Sequence, residues 1–470
     1  MSKHLPPRSR HAVVIGGGLA GTLSAAACLP HVEQVTIIER DVLPATPAPR
    51  KGLPQARHAH MLWSGGVRAM ETLVPGVTQQ WLDAGANRIP LPTGMVSYSP
   101  AGWYRRWTQE SHFLIGASRD LLDWGVRARV LQHSNVTVMQ AEPLNLTGTP
   151  QRVTGLLART ADGTERHIAA DLVVDATGRA SRAPDWLRQL GAPAVREETV
   201  DAGVVYASRI YKAPAGIDQP IVINIQADPR SGTPGQVATI IPVEGRRWIV
   251  ALSGTRGGEP TDDPDSYLAF ARGVRHPLVG NVLTHAEPLS AIAVTRSTIN
   301  RRRYWEKTHT PEGFVLVGDA VAALNPVYGH GMSVAALGAL ALRAQLHRRP
   351  IQSNGFAAAV QRAIARPTDV AWTLATGQDI HYPQSRGRRP TAIDRALGGY
   401  VHRVTDASTG SFRVAKAVTH VMTLQKGISQ LVRPDVIAAA VRGSALPPLT
   451  APPLSDTERT IYLPAAESQG

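Results

Sequence analysis

One stretch near the start of the chain restricts its fold more than any other. His11-Ala12-Val13-Val14-Ile15 is a short apolar run rich in β-branched residues, the pattern of a parallel strand buried on both faces. It leads directly into Gly16-Gly17-Gly18-Leu19-Ala20-Gly21, which fits G-x-G-x-x-G. The Ala-rich segment from Leu19 to Cys28 predicts a helix ended by Pro30, and Gln34-Val35-Thr36-Ile37-Ile38 predicts a second strand that finishes at Glu39. Each part has a physical reason. Gly16 permits the tight turn, Gly18 lets backbone approach a pyrophosphate, and Gly21 lets helix and strand pack closely. The helix N-terminus turns free N–H groups toward the anion. Glu39 stands 18 residues beyond Gly21, where it can accept both hydroxyls of an adenosine ribose. Strand, turn, helix and acid together predict a dinucleotide-binding fold.

Arg40 follows Glu39, and taken alone it would suit the ribose phosphate of NADP. Two later segments point to FAD instead. Gly313-Phe314-Val315-Leu316-Val317 predicts another buried strand, which delivers Gly318-Asp319-Ala320 and then Asn325-Pro326-Val327-Tyr328-Gly329-His330-Gly331-Met332 before a long Ala/Leu helix. A strand ending in Gly-Asp suits a polyol chain, because the carboxylate accepts from a hydroxyl, while the helix N-terminus faces the electron-rich edge of a ring. The alternative for Asp319 is that it merely caps the following helix. Between these segments, Ala170-Asp171-Leu172-Val173-Val174-Asp175-Ala176-Thr177-Gly178 reads as a strand ending in Asp-Ala-Thr-Gly.

This ordered set resembles the flavoprotein monooxygenases of the para-hydroxybenzoate hydroxylase type, with Ser118-Arg119-Asp120-Leu121-Leu122 as their Arg-led helix. Ile38-Glu39-Arg40-Asp41 and the spacing from Asp319 to Met332 are similar to squalene monooxygenase. The stretches Arg50-Lys51-Gly52-Leu53-Pro54-Gln55-Ala56-Arg57-His58-Ala59-His60, Leu252-Ser253-Gly254-Thr255-Arg256-Gly257-Gly258 and Asn325 to Met332 resemble the flavin epoxidases of polyether-antibiotic pathways, of the lasalocid and monensin type. The likeness runs from about residue 11 to residue 450. It implies an α/β fold: a discontinuous Rossmann-like FAD-binding domain, an antiparallel β-sheet substrate domain and C-terminal helices. It implies that Gly16, Gly18 and Gly21 hold the pyrophosphate and Glu39 the ribose. Arg40 would lie on the adenine side, and Arg50 and Arg119 near the pyrophosphate and ribityl chain. Asp319 would bind the ribityl or pyrophosphate, with the Gly331–Met332 backbone facing the flavin ring. The loop Pro44 to Pro49 lengthens the approach to Arg50.

The chain divides on the same pattern. Residues 11–95, 112–200 and 306–350 alternate strand and helix and form the expected FAD-binding domain. Residues 96–111 and 201–305 form the expected substrate domain. Within it, Gly203–Tyr211, Ile221–Gln226, Val237–Ile241 and Trp248–Leu252 alternate at period two, with a turn at Glu244-Gly245. Residues 351–470 read as a C-terminal helical region whose Leu446–Pro453 tail is a Pro-rich strap.

Composition removes several classes. Cys28 is the single cysteine, so an intramolecular disulfide and a multi-Cys zinc site are both excluded, and no metal is expected. The net charge is +14, but 44 of the 50 basic residues are arginines scattered along the chain, whereas a nucleic-acid site clusters its basic residues. No uninterrupted apolar run reaches the ~18 residues of a membrane span. Met1–Arg10 leads into a strand and not into a signal core, which predicts a cytoplasmic protein.

With no H-E-x-x-H, no G-x-S-x-G and no paired-carboxylate motif, the catalytic side chains stay unassigned and the chemistry falls to the flavin. The expected reaction is epoxidation of an alkene in an apolar, polyketide-like substrate by a flavin C4a-hydroperoxide. It consumes O2 and electrons from NAD(P)H, delivered directly or through a flavin reductase. His58, His60 and His330 fall in segments expected near the ring, where each is either structural or a hydrogen-bond donor. An aromatic hydroxylase would need a base for its phenol, and none stands out. A halogenase would carry Trp-x-Trp-x-Ile-Pro, which Gly102-Trp103-Tyr104-Arg105-Arg106-Trp107 lacks. A flavoprotein that binds a polyketide chain without oxidising it is the alternative of another class.

Overall fold

In the computed structural model, residues 10–217 and 219–464 are described, and most of the charged segment Met1–Arg10 lies outside them. The apolar run His11–Ile15 sits near the middle of a seven-stranded sheet. The order is Glu165–Ala169, Val153–Thr160, Val136–Gly148, Gln34–Glu39, His11–Ile15, Leu172–Asp175, Phe314–Leu316. From Val136–Gly148 to Phe314–Leu316 all neighbours are parallel, so both faces need cover. Helices Leu19–Cys28 and Gly331–Arg348 pack on each other, and the side chains of Val13, Val14, Ile37, Val173 and Val315 are fully or almost fully buried beneath such elements. The helix Leu19–Cys28 buries small residues, Ala25, Ala27 and Cys28 among them, which allows close approach. Burial pushes the Cys28 thiol up to about 12, so it is a packed apolar group and not a reactive one.

A second seven-stranded sheet runs Ala293–Thr295, Val205–Lys212, Arg247–Gly254, Gln236–Val243, Val222–Ile225, Met95–Ser99, Gly102–Trp103. The strands of residues 205–254 pair antiparallel, and Gly245 (φ 72°) with Arg246 (φ 51°) closes the hairpin between the last two. One pairing departs from an all-antiparallel sheet, since Val222–Ile225 runs parallel to Met95–Ser99. The two come from distant parts of the chain, so no hairpin fixes their relative direction. The outer face of this sheet packs on helices Pro264–Gly273 and Leu278–Leu283 through residues such as Tyr267 and Val279.

C-terminal to the first sheet come the helices Phe356–Asp379, Ala392–Gly410, Phe412–Met422 and Pro434–Arg442. The Pro-rich segment beyond them is tied to the second sheet's edge. Arg105 donates to the Pro447 carbonyl at 2.6 Å, and Arg106 donates to the Pro453 carbonyl at 3.1 Å and to Glu458 at 2.8 Å. It ends in a helix absent from the sequence reading, Asp456–Tyr462, whose capping box at Ser455 and Glu458 starts it. Tyr462 stacks on Trp248 with ring centroids 5.5 Å apart.

The tightest junction of the first sheet lies at Gly21. A Cβ there would stand 1.8 Å from the Gly16 carbonyl oxygen, a backbone atom that cannot turn aside. Gly21→Ala is therefore expected to destabilise the fold by about 3 kcal/mol, the upper end for overpacking. Thermal unfolding should show a lowered Tm, whereas an unchanged Tm would mean that the helix retreats without cost.

Candidate functional site

The glycine turn, the Asp-Ala-Thr-Gly strand end and the Gly-Asp loop meet at one edge of the first sheet. Gly16, at φ 101°, passes so close to Ala176 that a Cβ would lie 2.8 Å from its carbonyl oxygen. Gly318, at φ 59°, faces the Ala20 methyl of the first helix at 3.1 Å by the same construction. Asp175 is fully buried and does not reach the edge. It accepts from the Thr177 amide at 2.9 Å, the Thr177 hydroxyl at 2.6 Å and the Ser181 hydroxyl at 2.6 Å, which locks the strand end, while burial raises its pKa. Around Gly18, by contrast, a Cβ would meet nothing within 4 Å, so the turn presents open backbone there.

Glu39 is more engaged than its position in the sequence indicates. Its Oε2 accepts from the Gly17 amide at 2.7 Å and pairs with Arg50 Nη2 at 2.8 Å, while its Oε1 accepts from the Asp41 amide at 3.0 Å. A carboxylate has about four acceptor positions, so one remains on Oε1. Arg50 also donates to the Gly17 carbonyl at 3.1 Å, and its Nε is buried without a partner. The long Pro44–Pro49 loop is held by Arg127, which donates to the Pro44 carbonyl at 2.7 Å, and it brings Arg50 back behind the glycine turn. Arg40 lies outside, with a 70% exposed side chain.

Arg119 opens the helix Arg119–Val130, whose Ser118 cap accepts from the Leu121 amide. Its Nε donates to Asp123 Oδ1 at 2.7 Å, which leaves the buried Asp123 Oδ2 unpartnered. Asp319 lies in the short turn Gly318–Ala320, where it caps no helix. Desolvation raises its pKa, and Arg179, Arg119 and Arg301 oppose that rise. Gly331 begins the helix Gly331–Arg348, and a Cβ on it would meet only Asp319 Oδ1, at 4.0 Å. Met332 is buried behind it. Gly16, Gly18, Asp319 and Gly331 thus come together, Arg119 joins them through its charge, and Arg40 stays apart.

The three singled-out histidines are all neutral at pH 7. Burial, with Arg57 beside it, lowers His58 to about 4, and its Nδ1 is 2.9 Å from the Ser208 hydroxyl on the second sheet. Burial and then Arg119 lower His60 to about 3. Burial lowers His330 to about 4; its Nε2 donates to the Met422 carbonyl at 2.9 Å and its Nδ1 is buried without a partner.

A cleft lies between the second sheet and the Asn325–Tyr328 turn, with about 20 Å³ of internal space and a mouth open to solvent. Val204, Ala227, Val237 and Val327 make its apolar side. Its polar side holds a group that the sequence reading missed. Asp379, 1% exposed, accepts from Asn300 Nδ2 at 2.6 Å, Asn325 Nδ2 at 2.9 Å and the Tyr328 hydroxyl at 2.9 Å. Burial raises its pKa, these three bonds lower it and the Asp201 charge raises it. Tyr382 lines the same cavity, and the buried Tyr206 hydroxyl nearby has no partner. One signal was available. Asp379 is the last residue of its helix, where the dipole disfavours a negative charge.

A parallel sheet with a glycine turn, an Arg-led helix and a Gly-Asp edge defines an FAD-dependent flavoprotein of the monooxygenase type. Residues 10–351 match the family described as FAD binding domain, and the chain belongs to that family. It is an oxidoreductase of a class that uses O2 and NAD(P)H on small molecules. The chain is 34% identical over 411 residues to Protein Rv3254 of Mycobacterium tuberculosis, covering 83% of this chain and 85% of that protein. It is 28% identical over 404 residues to the kynurenine 3-monooxygenase of Salinispora tropica, covering 78% and 79% respectively. The solved structure of the flavin-dependent brominase Bmp2 superimposes with a TM-score of 0.65 at 16% identity, covering 92% of this chain and 99% of that one, a likeness of fold. No helix among the described residues is long and apolar enough to cross a membrane.

The His330 geometry carries a pH prediction. Its folded pKa of about 4 lies below the ordinary value of 6.5, so as pH falls the unfolded chain takes up a proton first. The stability that neutral His330 contributes above pH 6.5 is lost as pH drops toward 4. His330→Gln keeps an amide N–H for Met422 and does not titrate. The stability difference between wild type and variant should therefore shift against the wild type over that range in urea unfolding. A difference independent of pH would show that His330 is already solvated.

Proposed function

We propose that FAD lies along the sheet edge from Glu39 to Gly331 and that the chain inserts one atom of O2 into an alkene of an apolar, polyketide-like substrate. The open backbone at Gly18, the single acceptor left on Glu39, and the unpartnered Asp123 Oδ2 beside Arg119 all support the fit. Gly16, Gly18 and Gly21 form the pyrophosphate turn and Glu39 takes one ribose hydroxyl. Arg119 and Asp319 hold the pyrophosphate–ribityl stretch, and the Gly331–Met332 amides face the ring. Arg50 acts from behind the turn, where its charge fixes Glu39. Arg40 borders the adenine side. When bound, FAD supplies the oxygen-activating redox chemistry.

The observation that carries the substrate reading is the apolar wall of the cavity, which abuts the Asn325–Tyr328 turn that runs into Gly331. Burying an alkene against Val204, Val237 and Val327 contributes about 25 cal/mol per Å² and excludes water. An alkene needs no base. A second reading, hydroxylation of a phenol, is favoured by Asp379, which sits on the same cavity with its pKa raised. Aerobic turnover of geraniol and of 4-ethylphenol with NADPH and a flavin reductase separates the two. Geraniol should gain one oxygen atom as an epoxide by mass spectrometry, whereas efficient ring hydroxylation of the phenol with geraniol untouched would replace the first reading by the second.

The cofactor placement is tested separately. A carboxylate bond to a ribityl hydroxyl contributes about 1.5–3 kcal/mol, so Asp319→Ala should weaken FAD binding by about tenfold or more. Fluorescence titration of the apoprotein measures this, with circular dichroism confirming the fold. Unchanged affinity would remove Asp319 from the site.

A further inference from the structure

The cavity holds an acid that the flavin chemistry does not require. Asp379 is buried among three donors, yet no cation stands within ion-pair distance of it among the described residues. The charge that acts on it is that of another acid, Asp201, itself paired to Arg256 at 2.7 Å. The three donors do not use up its acceptors. Oδ2 takes Asn300 and Asn325, and Oδ1 takes only Tyr328. Of the ~four acceptor positions on a carboxylate, one on Oδ1 is left. Tyr328 and Asn325 face the cavity with Asp379, so the unused acceptor belongs to a group that lines open space. A charged acid buried without a cation is costly, its three hydrogen bonds offset only part of that cost, and a donor ligand would offset more. Helix stability does not account for it either, because it stands at the wrong end of the dipole.

We propose that Asp379 anchors one end of the substrate by accepting a hydrogen bond from a hydroxyl or ammonium group, with the apolar remainder lying along Val204, Val237 and Val327. The cavity then selects an amphipathic molecule, an alkenol or alkenyl amine, and not a bare hydrocarbon. Asn300 and Asn325 come from separate segments and fix the carboxylate plane, so the acceptor direction is set before the ligand arrives. The inference rests on the cavity being the substrate site.

Three compounds of one skeleton test it: geraniol, geranylamine and geranyl methyl ether. Calorimetry uses the FAD-loaded protein under nitrogen without reductant, so that binding is read without turnover. The alcohol or the amine should bind about tenfold or more tightly than the ether, as a bond to a charged acceptor predicts. A tighter amine identifies a charged donor, and a tighter alcohol a neutral one. Asp379→Asn keeps the shape, its amide oxygen can serve Asn300 and Asn325, and its N–H2 then faces the cavity. The preference should invert toward the ether, which only accepts. Tyr328→Phe frees a second acceptor on Oδ1 and should keep or widen the preference for donors. FAD content and Tm confirm that both variants fold. Equal binding of the three compounds by the wild type, or no binding of any, overturns the proposal. So does an Asp379→Asn protein that keeps the wild-type order. If the compounds bind equally while geraniol is still epoxidised, the anchor fails and the oxygenation reading stands. Selective binding without oxygen transfer would do the reverse.

Discussion

The backbone contact between Gly21 and Gly16 is the constraint on which the site depends. Because the third glycine lets the first helix settle onto the Gly16 carbonyl, that helix can also meet the strand end at Ala176 and the turn at Gly318. Three segments that are far apart in sequence then share one sheet edge. A single methyl group at that junction would push the helix outward and carry Ala20, and with it the approach of Gly318, away from the edge. The positive φ values of Gly16 and Gly318 serve the same end, since each lets the chain turn where a side chain would collide.

Three acids at or near this edge show how environment assigns different work to one side-chain type. Asp175 is saturated by Thr177 and Ser181 and is a structural lock. Asp319 has desolvation set against Arg179, Arg119 and Arg301, the balance of a carboxylate held ready beside cations. Asp379 is surrounded by neutral donors, with no cation paired to it among the described residues. Local satisfaction distinguishes them, and burial alone would not.

The first sheet was legible because its strands are continuous β-branched runs and its turn needs glycine at fixed offsets. The limits of His11–Ile15, Leu19–Cys28 and Gln34–Glu39 follow from those rules directly. The second sheet was legible from period-two alternation, but its one parallel pairing was not, because register between distant strands leaves no local trace. The candidate site was legible in so far as a motif names its residues, as at Gly18 and Asp319, whose cofactor roles remain proposals. It was not where partners come from elsewhere. Nothing near Arg50 in the sequence says that it folds back onto Glu39, and Asp379 acquires meaning only when Asn300 and Asn325 are brought against it. The short helix Asp456–Tyr462 was hidden for a similar reason: Tyr462 is held by Trp248, more than two hundred residues earlier.

The arginine surplus has a use in the fold that composition could not reveal. Arg105 and Arg106 tie the C-terminal strap, Arg127 holds the loop before Arg50, and Arg343 donates to the Thr72 carbonyl at 2.8 Å. Arg179 donates to the carbonyls of Ile299 at 2.6 Å and Leu324 at 3.1 Å, and Arg303 to that of Ser181 at 3.2 Å. Each joins segments that share no secondary structure, and a planar guanidinium with several fixed donors suits irregular carbonyls better than an ammonium does. Two of these, Arg179 and Arg127, also feel the charges of nearby acids, Asp319 for the first and Asp123 and Asp120 for the second. The same cations therefore clamp the loops and set the field around Asp319 and Asp123, so the long connections of this chain are fixed by charges that would also favour the anionic cofactor proposed there.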